Sequence, residues 1–231
     1  MVRAIVLDLD DTLYLERDYI RSGFRAVASF IQHRSGLDQD QISRDLWKLF
    51  EEGVRGNTFD CFLQNHPSLQ CKCKVSDLIQ IYRNHVPQIT FLPQMEELLA
   101  YFKEEGTGLA LITDGPLTSQ NAKVKALDLE RYLSLIIITD ERGIEFRKPH
   151  LYGFKKVMES MNLPPKQIVY VADNPEKDFL GPRRLGWRSI RLKLNQQLGC
   201  KLNPRGAEGA PDIEVHSVIE LRNQLLSFAH N

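Results

Sequence analysis

In "VLDLDDTLY" (6–14), Asp8, Asp10 and Asp11 crowd directly behind an apolar run. Such acids repel one another, so their grouping calls for a counter-charge. Asp8 and Asp10 are two residues apart and share a face for as long as a strand continues. Acids turned into one pocket need a cation, and a hard divalent ion with oxygen ligands, most simply Mg²⁺, suits them. "VADNPEKD" (171–178), behind another apolar run, adds Asp173 as a third carboxylate and then Asp178. Thr113, Asp114 and Gly115 follow a third run, and Lys148 stands in "FRKPH" (146–150).

These residue types suit attack on phosphorus. A carboxylate is a competent nucleophile and forms an aspartyl-phosphate; Asp8 is the candidate because it leaves its strand first. Asp10 would protonate the departing alcohol and later deprotonate the attacking water. The Thr113 hydroxyl and backbone N–H groups near Asp114 and Gly115 would meet phosphate oxygens. Lys148 offers a fixed positive charge to a transition state dominated by positioning and electrostatics. Each residue also has a plainer reading. Asp10 and Asp11 can be turn acids, with Thr12 capping the next helical turn. Lys148 can be a loop lysine, Asp178 a solvated helix acid and Asp114 a turn residue. Glu145, Arg147 and His150 flank Lys148 and receive no role, because loop charges are usually solvated.

The elements that must position these groups show in the periodicity. "RAIVLDL" (3–9), "GLALIT" (108–113), "LIIIT" (135–139), "IVYVA" (168–172) and "RSIRL" (188–192) are short strands. All but the last are near-continuously apolar, as strands covered on both faces are. Helical patterns lie between them. "LPQMEELLAYFKEEG" has Pro93 near its first turn, Leu98, Leu99 and Phe102 on one face and Gly106 as its stop. "SQNAKVKALDL" and "PHLYGFKKVMESM" precede the third and fourth strands. This alternation predicts an α/β fold, a doubly wound, Rossmann-like parallel sheet whose ligands bind beyond the carboxyl ends of the strands.

The first strand breaks the rhythm, because roughly eighty residues separate it from the next core helix, far beyond an ordinary connection. "YIRSGFRAVASFI" places Ile20, Phe24, Val27 and Ile31 on one helical face. "LDQDQISRDLWKLFEEG" has Asp38 as N-cap with Gln41 three residues on, and "VSDLIQIYRNH" has Ser76 as its cap. Residues 15–89 therefore form an all-helical module inserted into an α/β core of 1–14 and 90–231. Trp47, Phe50, Phe24 and Ile31 belong to that module's own core, while Glu16, Arg17, Tyr19, Arg55 and Asn57 lie in it or at its hinge. "GCKLNPRGAEGAPD" (199–212) is a surface loop before a last short strand and helix.

Taken together, "DLDDTL" (8–13), "LITDG" (111–115), "RKP" (147–149) and "VADNPEKD" (171–178) resemble the four ordered motifs of the haloacid dehalogenase superfamily. They are similar to its magnesium-dependent phosphatase branch, in which a helical cap is inserted after the first motif. The resemblance implies Asp8 as nucleophile and Asp10 as general acid/base. It implies Mg²⁺ held by Asp8, the Asp10 carbonyl and Asp173, with Thr113 and Lys148 on the phosphoryl group. It makes Asp178 an outer or alternate metal acid that also positions Lys148. Two departures stand out: Ala172-Asp173 where the family has Gly-Asp, and Thr113-Asp114-Gly115 where it has Thr-Asn-Gly. Asp114 would set an extra negative charge near the phosphate, lowering affinity or selecting a substrate with a cationic or hydroxyl group.

Lys plus Arg and Asp plus Glu are 30 each, so net charge draws the chain to neither nucleic acid nor an anionic membrane. No apolar stretch approaches membrane-spanning length, and "MVRAIVLDLD" lacks a secretory pattern. Cys61, Cys71, Cys73 and Cys200 lack the paired spacing of a zinc site and read as free thiols of a reducing cytoplasm. The expectation is a cytoplasmic phosphomonoesterase, monomer or homodimer, whose cap closes over a small phosphate ester and excludes water. A phosphomutase, a carbon–halogen hydrolase or a low-turnover phosphate-dependent binding module on the same scaffold are the alternatives. Asp10 and Asp173 count against the halogen chemistry, which needs neither metal nor an acid for an alcohol.

Overall fold

The computed structural model describes residues 1–230, without the side chains of the last two. The chain runs β1 (Ala4–Leu7), α1 (Glu16–Ser35), α2 (Gln39–Glu51), α3 (Thr58–Asn65), α4 (Val75–Asn84), α5 (Met95–Glu104) and β2 (Gly108–Thr113). It continues through α6 (Leu117–Ala126), β3 (Leu135–Ile138), α7 (Tyr152–Met161), β4 (Ile168–Ala172) and α8 (Leu180–Leu185). It ends with β5 (Arg188–Leu192), β6 (Ile213–Val215) and α9 (Val218–His230). It divides into two compact units: Met1–Glu16 with the chain from Thr90 onward, and Arg17–Ile89.

The first unit is built on one parallel sheet with strand order β3-β2-β1-β4-β5-β6. β1 lies at its centre, and all four of its residues are buried, because helices cover both faces. The register sets Leu7 opposite Leu111 of β2 and Val171 of β4. The order reverses at β1, and a switch point between β1 and β4 opens a crevice beyond the strand ends. Val6, Ala110, Ile112, Phe154, Tyr170, Phe179 and Trp187 pack as one apolar cluster of this unit. The strand expected over 3–9 ends at Leu7. The period-two argument that set Asp8 and Asp10 on one face therefore stops short of Asp10.

The second unit is helical, and its core gathers Phe24, Val27, Ile31, Leu46, Phe50, Phe59, Phe62 and Leu78, with Trp47 packed against it. Asp38 caps α2 as expected, accepting the Gln41 N–H at 2.9 Å. Ser76 is not the cap of α4. The Lys74 carbonyl already accepts the Asp77 and Leu78 N–H groups, so the helix opens earlier and Ser76 lies in its first turn. Pro93 likewise precedes α5, which begins after Gln94 in the left-handed region. The short α3 had no expectation attached to it; its apolar Phe59, Phe62 and Leu63 are too few for a clear period. The cysteines are free, and no described helix is long and apolar enough to cross a membrane.

Candidate active site

Asp8 follows β1 directly, and its N–H donates to the Val171 carbonyl at 2.9 Å, adding one rung beyond the strand. That rung aims the carboxylate into the crevice between the ends of β1 and β4. There Asp8 Oδ1 accepts from Lys148 Nζ at 2.6 Å. Lys148 comes from the loop between β3 and α7, and its side chain is 0% exposed. It also meets Asp178 Oδ1 at 2.7 Å and the Tyr170 hydroxyl at 3.1 Å. Three acceptors thus match the three hydrogens of the ammonium. Burial works against the charge on Lys148, but Asp178 and Asp8 outweigh it and hold its pKa well above the usual range. Asp178 is fully buried against this lysine rather than solvated on a helix. Its other oxygen takes the Asn174 N–H at 3.1 Å.

Asp8, Asp173 and Asp178 offer carboxylate oxygens that all lie within 4.8 Å of one another, and all three residues are buried. No hydrogen bond or ion pair among the described residues reaches the Asp173 carboxylate. Burial, then Asp178 and Asp8, push the Asp173 carboxyl far up. Burial likewise raises Asp8 to about 6, aided by Asp178 and opposed by Lys148. Lys148 contacts Asp8 and Asp178 but not Asp173, so the three carboxyl groups form a surplus over the one adjacent ammonium; Lys177 eases it only from farther off. Oxygen donors, burial and that surplus fit a hard divalent cation.

Asp10 looks elsewhere. Its carboxylate receives Lys123 Nζ at 2.8 and 3.0 Å, Gln120 Nε2 at 3.1 Å and the Tyr14 hydroxyl. Burial disfavours its charge, yet Lys123 and these hydrogen bonds prevail and lower its pKa. Gln120 also donates to the Thr113 hydroxyl and to the Asp114 carbonyl, so it ties the end of β2 to Asp10.

Asp11 turns out to be a turn acid. It sits at φ 55°, and its carboxylate accepts the N–H of Glu16, the first residue of α1, at 2.8 Å and that of Leu198 at 2.7 Å. Burial raises it to about 6 although both N–H groups pull it down. Its carbonyl accepts Gln197 Nε2 at 2.6 Å. The Thr12 hydroxyl is buried without a partner, so it caps nothing. Behind this loop the fully buried Arg191 donates to the carbonyls of Asp173 at 2.9 Å and Gly199 at 3.1 Å.

The Asp114 carboxylate accepts from Thr139 Oγ1 at 2.7 Å and from the Lys148 N–H at 3.1 Å. Both contacts use Oδ1, so one Asp114 oxygen is tied to the Lys148 loop. The Gly115 N–H, expected on a phosphate oxygen, donates to Asp140 Oδ1 at 3.2 Å. Asp140 in turn holds Arg147 through two contacts of 2.6 Å. The pair Asp140–Arg147 fastens the loop that delivers Lys148, a role that sequence reasoning did not assign to either residue.

Tyr14, Gln120, Lys123 and Tyr170 were also missed. α6 buries Ser119, Gln120, Lys123 and Val124, a largely polar face that its sequence does not distinguish from an exposed one. Tyr170 was hidden inside a run that reads as ordinary strand.

A family described as haloacid dehalogenase-like hydrolase matches residues 5–192. The glyceraldehyde 3-phosphate phosphatase of Methanopyrus kandleri is 25% identical over 232 aligned positions, covering 96% of each chain. Among solved structures, the magnesium-bound putative HAD-hydrolase YfnB of Bacillus subtilis superposes with a TM-score of 0.67 at 18% identity, over 97% of this chain and 98% of that one. The 2-haloacid dehalogenase of Pseudomonas syringae reaches 0.65 at 19% identity, over 99% and 100%. Likeness at that identity describes the fold and leaves the chemistry to the residues.

Proposed function

The chain belongs to the haloacid dehalogenase-like hydrolases, and from that premise we propose that it hydrolyses phosphate monoesters of small metabolites through an Asp8 phosphoryl-enzyme. The observation that carries this reading is the buried Asp8–Lys148–Asp178 group beside an unpaired Asp173. An Asp8 oxygen forms a bond to phosphorus while the ester oxygen leaves. Lys148 holds the nucleophile in place, and its positive charge offsets the negative charge of the phosphoryl group that Asp8 attacks. Asp10 hands a proton to the departing alcohol. A substrate bound as its monoanion brings that proton, since the second phosphate proton titrates near pH 6. Asp10 then takes a proton from water, whose oxygen attacks phosphorus as the bond to Asp8 breaks. Phosphate leaves, Asp8 is restored, and Asp10 gives up the proton taken from water to the departing phosphate or to solvent.

Asp8, Asp173 and the Asp10 carbonyl would hold Mg²⁺, with Asp178 beside them. When bound, the ion neutralises and orients the phosphoryl oxygens. The buried oxygen donors and their surplus of negative charge support that assignment. The relative named glyceraldehyde 3-phosphate phosphatase supports a small substrate. Free cysteines suit a reducing cytoplasm.

The test is release of inorganic phosphate with Mg²⁺ present, across sugar phosphates, nucleotides, sugar-acid phosphates and p-nitrophenyl phosphate. Turnover is expected on small esters, lost in EDTA and in Asp8→Asn. Undiminished hydrolysis by Asp8→Asn would overturn the reading.

A further inference from the structure

α6 buries an ammonium that the family motifs leave without a task. The Lys123 side chain is 6% exposed, and lysines are rarely buried unless a fixed partner holds them. Its Nζ lies 2.8 Å from one Asp10 oxygen and 3.0 Å from the other, so the contact fixes the plane of the carboxylate and not only its distance. Gln120, three residues earlier on the same helical face, reaches Oδ2 at 3.1 Å, and the Tyr14 hydroxyl takes Oδ1. Both oxygens are thus held from outside the cluster of Asp8, Asp173 and Asp178.

We propose that Lys123 is the positioning residue for Asp10, with Gln120 and Tyr14 completing a clamp that aims this carboxylate at the leaving-group oxygen. The proposal rests on the phosphomonoesterase reading. It separates the two buried lysines by task. Lys148 serves the nucleophile and its metal acids, whereas Lys123 serves the residue that moves protons. A proton transfer depends steeply on donor–acceptor geometry, so freeing the carboxylate to rotate slows it while leaving the attack by Asp8 in place.

Leaving groups tell these effects apart. An alkyl phosphate expels an alkoxide that must be protonated as the bond breaks. 2,4-Dinitrophenyl phosphate expels a stable phenolate that needs no proton. kcat/KM reports only the steps through breakage of the ester bond. The experiment measures kcat/KM for both esters on the full chain with Mg²⁺, in wild type, Lys123→Met and Lys123→Arg, with thermal melts to certify folding.

Lys123→Met is expected to lose roughly a hundredfold on the alkyl phosphate. Its loss on the dinitrophenyl ester should be at least about tenfold smaller. Lys123→Arg, whose fork can again grip both oxygens, should recover most of the difference. If the methionine variant does not fold, Lys123→Gln carries the same comparison. Equal losses on the two esters would mean that Lys123 supports the fold or the phosphate, and no loss on either would remove it from the site; both results overturn the proposal. If wild type hydrolyses neither ester, the phosphomonoesterase reading fails first and takes this inference with it.

Discussion

The two units of the chain bury different things. In the α/β unit, Asp8, Asp11, Lys123, Lys148, Asp173, Asp178 and Arg191 are all buried. In the helical unit, the buried polar residues among those described are Ser22 and His85, and the core is aromatic and aliphatic. Burying a charge costs several kcal/mol unless it is paired, and a pair often does no better than an apolar replacement. The helical unit therefore has the composition that stability alone favours. The α/β unit keeps a network that stability would not select, and that network marks where the chemistry lies. Within it, the two lysines pair differently: Lys123 meets the Asp10 carboxylate, while Lys148 contacts Asp8 and Asp178 of the three clustered acids.

The sharpest break of this contrast is Asp8→Asn. It should lower turnover by at least about 10⁴-fold while leaving the fold intact, as steady-state phosphate release and thermal melts would show. Lys148→Met comes next. In EDTA it should destabilise by about 3–5 kcal/mol, because Asp8 and Asp178 lose their shared cation, and it should also lose turnover. Denaturant titration reads the first effect; a variant as stable as wild type would mean that the network bears no energetic cost. Phe62→Ala in the helical unit should cost a similar ~3–5 kcal/mol by leaving a cavity, yet leave Mg²⁺ binding by the other unit measurable in calorimetry.

A smaller effect separates protons from metal. Asp8 and Asp11 stand at about 6 against an ordinary 3.8, and burial raises Asp173 well above that value too. These acids hold protons more tightly folded than unfolded. Their stabilising share is complete below the unfolded value and is lost as pH rises through the folded one. The chelated protein should thus lose Tm between about pH 4 and about pH 7. Asp10 and Asp140, lowered instead, act in the opposite sense and only in a more acidic window. Saturating Mg²⁺ should raise Tm by several degrees, more at about pH 7.5 than at about pH 5.5, because it competes with protons for the same oxygens. An equal rise at both would place the ion away from these acids. The smallest change is Asp114→Asn. The amide oxygen still accepts from Thr139 and the Lys148 N–H, so turnover should stay within about tenfold.

The legibility of the site follows from chain distance. β2, β4 and β5 were read with their observed limits, since buried parallel strands are continuous apolar runs that periodicity exposes. The Asp8, Asp173 and Asp178 cluster was foreshadowed by acids placed just beyond two such runs. The partners of Asp10 were not, because Gln120 and Lys123 lie more than a hundred residues away on a helix whose sequence reads as an ordinary exposed one. For Asp114 and Gly115 the loop is legible in the sequence but its neighbours are not. A loop acid has many possible donors in reach, and only the approach of the Lys148 segment selects among them.

Residue types and spacing were enough to specify a parallel sheet, a helical insertion after β1 and a set of oxygen-rich strand ends, because those depend on local periodicity and on which side chains tolerate burial. Which ammonium meets which carboxylate depended on the folded chain. Side-chain pairs separated by up to 140 residues come within 3 Å only when strand order and helix packing bring them there. The division of labour between Lys148 and Lys123 is therefore a property of the tertiary arrangement, and Coulomb attraction over those few ångströms is what gives it chemical meaning.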